Sequence, residues 1–258
     1  MTLNNPMDVP LLETQELSVH YGRAIALGSV SIKVYPREVV AVLGPNGTGK
    51  TTLLRAISGL VELERGKVFF QGKLILESLK SEFRKIRRNN SIKSHKLVEL
   101  GIIHCPERRR LFSESTVEEN LLLGAYTLKN QEEIQHNLET VLTMFPELKD
   151  RLHDKAGQFS GGQQQMIAVG RSLMGSPKVL LLDEPSLGLA PIVKQTIMKS
   201  IKQIQSNGTT VLIVEQDVSL ALEVCDRGYI LENGRIEIQG TRDDILNNEH
   251  VKTAYLGI

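Results

Sequence analysis

The segment GPNGTGKTT has the residue types and spacing of a loop that binds phosphate groups. It matches the pattern G-x-x-x-x-G-K-[ST], and the apolar run VVAVL leads directly into it. Glycines allow positive φ angles and close approach of the backbone, so consecutive N–H groups can surround a phosphate. The helix that we expect to begin at Thr48 would direct its positive end at the same anion. The sequence thus predicts a nucleotide site made of Gly44, Pro45, Asn46, Gly47, Thr48, Gly49, Lys50, Thr51 and Thr52.

Side chains of this loop and of a later acidic pair could carry out phosphate chemistry. Lys50 would reach the β- and γ-phosphates, and the Thr51 hydroxyl would bind Mg²⁺. In VLLLDEP, Asp183 ends an apolar strand, at the sheet edge where α/β proteins bind ligands, and could hold Mg²⁺ opposite Thr51. Glu184 follows at once and is the best candidate to activate an attacking water. The long separation of the two motifs and the lack of a guanine-reading N-K-x-D argue against GTP.

A third segment, FSGGQQQMIAVGRSL, predicts a second helix whose N-terminus could bind an anion. Ser160 is a natural N-cap, Gly161 and Gly162 leave backbone amides bare, and an amphipathic pattern follows. A chain with one phosphate loop then has two half-sites for one ligand. Both half-sites can bind the same ligand if two chains pair head to tail, so that Ser160–Gln163 of one chain cover the γ-phosphate that the other chain holds.

Apolar patterning around these motifs predicts an α/β fold: a P-loop NTPase core with a mainly parallel sheet, and an antiparallel β sheet at its edge. Continuous apolar runs at 178–183 and 209–214 are typical of strands buried on both faces of a parallel sheet. Shorter segments separated by turn residues predict the antiparallel sheet, with strands within 11–22, 29–34 and 66–75.

Helical spacing of apolar residues predicts an inserted α-helical subdomain at approximately 108–174. One helix is expected within 116–126, where Thr116 begins a capping-box pattern. A second is expected at 132–145, and Pro146 should end it.

Length and composition limit the class of protein. A chain of 258 residues with 41% apolar and 24% charged residues suits a soluble α/β domain with a substantial core. A formal net charge of +1 is not that of a dedicated nucleic-acid binder. The apolar runs are too short to cross a bilayer, the N-terminus lacks a signal-peptide pattern, and the two isolated cysteines indicate neither a disulfide framework nor a zinc site. We expect a cytoplasmic protein.

GPNGTGKTT, FSGGQ and LLLDEP, in this order and spacing, resemble an ATP-binding-cassette (ABC) ATPase over nearly the whole chain. Finer segments, PERRRLF, TVEENL, GGQQQMIAVGRSLM, DEPSLGLAPIV, VEQD and AYLG, are similar to the ATPase subunits of branched-chain amino-acid importers. The resemblance implies ATP and Mg²⁺ as cofactors. It also implies that ATP hydrolysis powers the import of branched-chain amino acids or related small amides.

The same resemblance implies roles for individual residues and partners. Tyr21 would stack on adenine, although a core residue at a strand end remains the alternative. Ser160–Gln163 would contact γ-phosphate in trans, and Glu107 would lie in the segment that faces the permease. The partners would be a second ABC ATPase subunit, two transmembrane permease subunits and, indirectly, an extracytoplasmic solute-binding protein. The chain would then be peripheral on the inner face of the cell membrane.

Three positions depart from the wider superfamily. Glu107 stands where a γ-phosphate-sensing glutamine is usual, Gln216 replaces the switch histidine, and Ala190 replaces an aspartate of the pairing loop. The first two also recur in the branched-chain group. Because glutamine does not titrate, Gln216 would orient the γ-phosphate or the attacking water while Glu184 acts as the base.

The predicted organisation is a loose tail at 1–10 followed by a single ABC ATPase domain at 11–258. Within the domain, the stretch 78–96 is polar and strongly basic. It is either a solvated surface insertion or a contact with lipid headgroups or an unusual permease partner. The sequence does not decide between these.

A soluble ABC ATPase that acts on a ribosome or nucleic acid is the second function considered. Such proteins generally carry two cassettes or long coiled-coil insertions, and more basic charge. A single cassette with a near-neutral balance favours transport. The sequence leaves open which solute is moved and whether the working pair is a homodimer or a heterodimer.

Overall fold

The computed structural model describes residues 9–78 and 92–257. Most of the predicted tail (1–10) and most of the basic stretch (78–96) lie outside the described residues. Within the described ranges, no helix combines the length and the apolar composition needed to span a membrane.

The described residues contain eleven strands in two sheets. In chain order the strands are β1 (Leu12–Tyr21), β2 (Ala24–Val30), β3 (Lys33–Val34), β4 (Val39–Leu43), β5 (Arg65–Phe70), β6 (Lys73–Glu77), β7 (Ile102–Cys105), β8 (Val179–Asp183), β9 (Thr210–Glu215), β10 (Arg227–Glu232) and β11 (Arg235–Thr241). The central sheet has the order β11-β10-β4-β9-β8-β7, and its strands are parallel except for β11. The second sheet, β2-β1-β5-β6 with β3 beside β1, is antiparallel. The predicted fold class is confirmed.

Helices pack around the central sheet. They are α1 (Lys50–Ile57), α2 (Ser94–Leu100), α3 (Val117–Leu123), α4 (Gln131–Met144), α5 (Gly161–Leu173), α6 (Pro191–Ser206), α7 (Val218–Leu222), α8 (Arg242–Leu246) and α9 (Glu249–Val251). The helices predicted around 116–126 and 132–145 are confirmed as α3 and α4. Thr116 forms the expected capping box, and a 3₁₀ turn begins at Pro146 where α4 ends.

Two buried apolar clusters lie on the two faces of the central sheet. In β4, Val39, Ala41 and Leu43 belong to one cluster, whereas Val40 and Val42 belong to the other. Strands β8 and β9 alternate between the clusters in the same way. Burial on both faces explains why these strands read as continuous apolar runs, and it fixes the carboxyl ends that carry the acidic residues.

The antiparallel sheet differs in detail from its prediction. The segment 29–34 is interrupted between β2 and β3. At this break Thr14 Oγ1 donates to Val30 O (3.3 Å) and accepts from Ile32 N (2.9 Å), beside a backbone bond from Thr14 N to Ile32 O (2.9 Å). The segment 66–75 is a hairpin, β5 and β6, rather than one strand. Its turn contains Gln71 and Gly72, both with positive φ.

Candidate functional site

The loop between β4 and α1 can only be built with glycine at two positions. A Cβ atom on Gly44 would lie 2.3 Å from Leu231 O, and one on Gly49 would lie 2.4 Å from Ala26 O. Gly49 also has a φ of 106°, which helical residues do not adopt. For this reason α1 begins at Lys50, whereas the sequence predicts a start at Thr48.

Lys50 is the buried cation of this loop. The residue is 3% exposed, and its Nζ donates to Gly44 O at 2.8 Å and to Pro45 O at 3.0 Å. The third partner is Glu184, whose Oε1 lies 3.1 Å from Nζ. An ammonium group has three donors, so this arrangement satisfies all of them. The loop therefore holds a preorganised positive charge beside the carboxylate that follows β8.

Thr51 and Asp183 meet, as the sequence predicted for a metal site. The Thr51 hydroxyl donates to Asp183 Oδ1 at 2.9 Å. Burial raises the pKa of the Asp183 carboxyl, and the neighbouring carboxylates of Glu184 and Glu107 raise it further, whereas the Thr51 hydrogen bond lowers it. Hydroxyl and carboxylate oxygens are ligands that Mg²⁺ prefers, and a dication would relieve the repulsion among these carboxylates. The residues present thus fit a Mg²⁺ ion.

Glu184 is held in place by the backbone. Its φ is 46°, in the left-handed region, and its N–H donates to Val214 O at 3.0 Å. The side chain is 10% exposed. A carboxylate fixed at a strand end beside Lys50 has the position expected of a group that orients or deprotonates a water near the phosphates.

Three further predicted residues lie at the surface of this region. Tyr21, at the end of β1, is 50% exposed, which argues against the alternative of a core residue. Glu107 is partly buried and contacts Arg108 (3.3 Å). Gln216 follows β9 and is exposed, and its side chain makes no hydrogen bond with the described residues.

The predicted second anion site is a separate feature of the chain. Ser160 is the N-cap of α5, its Oγ accepts from Gln163 N (3.3 Å), and Gln163 Oε1 accepts from Ser160 N (3.1 Å). A Cβ atom on Gly162 would lie 2.5 Å from a Val193 methyl group, and one on Gly161 would lie 3.1 Å from the Arg109 guanidinium. Within the described residues, no hydrogen bond or ion pair joins this cap to the phosphate loop. One chain therefore does not bring the two half-sites together.

Glu215 belongs to none of the motifs described above, but its hydrogen bonds join two segments of the site. The residue is 2% exposed, and its carboxylate accepts from Ser186 N (2.9 Å) and from Gln216 N (3.2 Å). Burial raises its pKa, and hydrogen bonds from Ser186 and Gln216 act in the opposite direction. Glu215 thus ties the turn after Glu184 to the segment after β9. In the sequence, the one indication of such a role is that a charged residue ends the apolar run TVLIVE.

A second unpredicted support is Arg171 of α5. Arg108, Arg109 and Arg110 all have positive φ angles, which are costly for residues with side chains. Arg171 donates to Arg109 O and to Arg110 O, each at 2.9 Å. These two bonds hold the segment after Glu107 against the helix that Ser160 caps.

The exposure of Gln216 leads to a prediction about turnover. The Gln216→Leu variant removes an amide that can orient the γ-phosphate or a water, and it should slow hydrolysis roughly 10²–10³-fold. ATP affinity should change little, and Gln216→His should remain active because histidine also has a donor. Single-turnover hydrolysis at saturating ATP measures the effect. A Gln216→Leu protein that hydrolyses at the parent rate would remove this residue from the mechanism.

Comparison with known proteins agrees with the geometry. Residues 27–187 match the ABC transporter family. The high-affinity branched-chain amino acid transport ATP-binding protein BraG of Pseudomonas aeruginosa is 41% identical over 96% of this chain and 100% of its own length. The probable branched-chain amino acid transport ATP-binding protein LivF of Archaeoglobus fulgidus is 35% identical over 96% of this chain and 99% of its own.

A solved structure gives the same result for the fold. The ADP conformation of MJ1267, an ATP-binding cassette of an ABC transporter, superposes with a TM-score of 0.81 and 28% identity, covering 97% of this chain and 100% of that one. The loop from Gly44 to Thr52 and the acidic pair at the end of β8 thus lie in a nucleotide-binding fold. The chain belongs to the ABC transporter family and is one of its ATP-binding ATPase cassettes.

Proposed function

We propose that this chain is the ATP-hydrolysing subunit of an importer for branched-chain amino acids or related small amides. The observation that carries the proposal is its 41% identity with a branched-chain amino acid transport protein over that protein's entire length. The similarity therefore extends well beyond the short motifs that all ABC ATPases share. No comparable observation favours action on a ribosome or nucleic acid.

In the proposed reaction, the loop residues Gly44–Thr52 bind the phosphates of ATP, and the exposed ring of Tyr21 stacks on adenine. Thr51 and Asp183 would hold Mg²⁺, which would neutralise charge on the phosphate oxygens. Lys50 binds the β- and γ-phosphates. Glu184 accepts a proton from the attacking water, and Gln216 orients that water or the γ-phosphate.

The proposed working unit contains two cassettes, related head to tail. Support comes from the separation of the Ser160 cap and the phosphate loop within one chain. In the dimer, Ser160, Gly161, Gly162 and Gln163 of one chain would cover the γ-phosphate bound by the other. ATP binding would then close the dimer and hydrolysis would reopen it.

A groove beside Glu107 supports the proposed contact with permease subunits. It has a volume of about 820 Å³ and reaches from Glu107 to Asp183. Leu60, Leu123 and Tyr126 line it and are 58%, 47% and 63% exposed. Exposed apolar side chains in a groove favour an amphipathic helical segment of a partner. One transmembrane permease would dock in this groove of each cassette. The two cassettes would then lie on the inner face of the cell membrane, with a solute-binding protein outside.

Uptake measurements test this function. In source cells that lack the gene, high-affinity uptake of radiolabelled leucine, isoleucine and valine should fall to background. The wild-type gene should restore uptake, and the matched variant Glu184→Gln, made to the same level, should not. The tagged chain should also copurify from membranes with two permeases.

Two results would contradict the proposal. Parental uptake of all three amino acids in the deleted cells would exclude these solutes. Copurification with ribosomal proteins or nucleic acid instead of permeases would exclude transport altogether.

A further inference from the structure

His104 is a buried polar residue that none of the motifs above accounts for. It lies on β7, and its side chain is 9% exposed. Nδ1 is 3.2 Å from Ser58 Oγ, at the end of α1, and Nε2 is 3.9 Å from Asp183 Oδ2, at the end of β8. Nε2 is buried and has no hydrogen-bond partner among the described residues. An unpartnered polar atom is thus aimed at the carboxylate of the metal site.

The hydrogen bonds of Ser58 determine which nitrogen carries the proton. Ser58 Oγ donates its single hydrogen to Leu54 O at 2.7 Å. It can therefore only accept from His104, so that Nδ1 carries the hydrogen of the neutral ring. Nε2 is then left with a lone pair, and it is a hydrogen-bond acceptor.

The surroundings of the ring keep it neutral. Burial lowers the pKa of His104 to about 4, and the positive charges of Arg55 and Arg110 act in the same direction. Asp183 is the acidic group that faces the ring. The Ser58 hydrogen bonds thus leave Nε2 as the acceptor nitrogen of the ring.

Two acceptors consequently face each other across 3.9 Å, the lone pair of Nε2 and the carboxylate oxygen Oδ2 of Asp183. This distance is too long for a direct hydrogen bond in any protonation state. A group that satisfies both atoms must donate two hydrogen bonds. A water molecule does so, and a water polarised by a metal ion is a stronger donor than a free one.

We propose that His104 is a positioning residue of the magnesium site, whose Nε2 accepts a hydrogen bond from a metal-bound water that also donates to Asp183. The inference rests on the proposed function, in which Thr51 and Asp183 hold Mg²⁺. Through Ser58, the same histidine connects the metal water to α1, the helix that follows the phosphate loop. It lies three positions before Glu107, so it also links the metal to the segment beside the permease groove.

Metal binding tests the inference without relying on turnover. Mn²⁺ is titrated into protein saturated with a non-hydrolysable ATP analogue, and free Mn²⁺ is followed by electron paramagnetic resonance. The His104→Phe variant should bind Mn²⁺ about tenfold more weakly, as is typical when an outer partner of a metal site is lost. His104→Gln should retain the parent affinity because its amide oxygen can accept near the position of Nε2. Affinity for a fluorescent ATP analogue in EDTA should be unchanged in both variants.

Two further variants separate the possible failures. Ser58→Ala keeps the imidazole ring of His104 but removes the hydrogen bond that determines its tautomer, so it should weaken Mn²⁺ binding partly. This variant keeps the test decisive if His104→Phe does not fold. Asp183→Asn is the comparator for the site itself. Parent Mn²⁺ affinity in Asp183→Asn would refute the metal site of the proposed function. A weakened Asp183→Asn together with parent affinity in His104→Phe or Ser58→Ala would overturn only the role of His104.

Discussion

The Glu184→Gln variant is expected to lose hydrolysis by about 10²–10⁴-fold, the usual contribution of a general base. The substitution preserves the shape of the side chain and one acceptor oxygen, but it removes the carboxylate that would accept the proton of water. Lys50 should stay in place, because two loop carbonyls still bind its Nζ. Loss of a negative charge near the phosphates also lessens repulsion, so ATP should bind at least as tightly. The trapped ATP should hold two chains together.

Size-exclusion chromatography with and without ATP, together with single-turnover hydrolysis, measures both effects. The matched control is Lys50→Ala, which removes a charge-assisted contact with the phosphates and should weaken ATP binding as well as turnover. A Glu184→Gln protein with normal turnover would show that another group activates the water. A variant that neither hydrolyses nor binds ATP would show that Glu184 supports the loop instead.

The parts of the site that the sequence predicts are those that one local segment encodes. The phosphate loop is such a part, since the geometry of Gly44 and Gly49 requires glycine, and the spacing to Lys50 is set within a single turn. Asp183 and Glu184 are predictable because β8 is buried on both faces and is therefore a continuous apolar run, which ends at these two acidic residues. The capping box at Ser160 is equally local. Each of these features follows from neighbours in sequence.

The features that the sequence did not reveal depend on contacts between distant segments. Glu215 reads as the end of a strand, and only the fold brings its carboxylate to Ser186 N. A role for His104 is evident only in the fold, which places Ser58 and Asp183 on either side of its ring. The break within 29–34 likewise lies where the side chain of Thr14, in another strand, bonds the backbone. Periodicity reports the burial of a side chain, and it contains no information about which polar partner the fold will supply.

The proposed trans arrangement of the site makes the Ser160→Arg variant the second test with a large expected effect. Ser160 is exposed at the N-terminus of α5, so arginine should be tolerated in the folded chain. In a closed dimer its bulk and charge would enter the space where the partner's nucleotide docks. Pure Ser160→Arg protein should therefore bind ATP, fail to form the closed dimer and lose nearly all hydrolysis. Full activity of this protein would contradict the trans arrangement.

Mixing two inactive proteins decides between sites built in trans and in cis. Ser160→Arg chains keep an intact phosphate loop, and Lys50→Ala chains keep an intact Ser160 cap. If each site joins the loop of one chain to the cap of its partner, every mixed dimer contains one intact site. Random pairing of equal amounts would then restore about a quarter of the parent's sites. If both halves came from the same chain, no mixture could restore any. Single-turnover hydrolysis is measured for the two pure proteins and for the mixture, at equal total protein. Recovered hydrolysis in the mixture requires that Ser160 acts on the nucleotide of the neighbouring chain. A mixture as inactive as its components means that Ser160 does not act in this way.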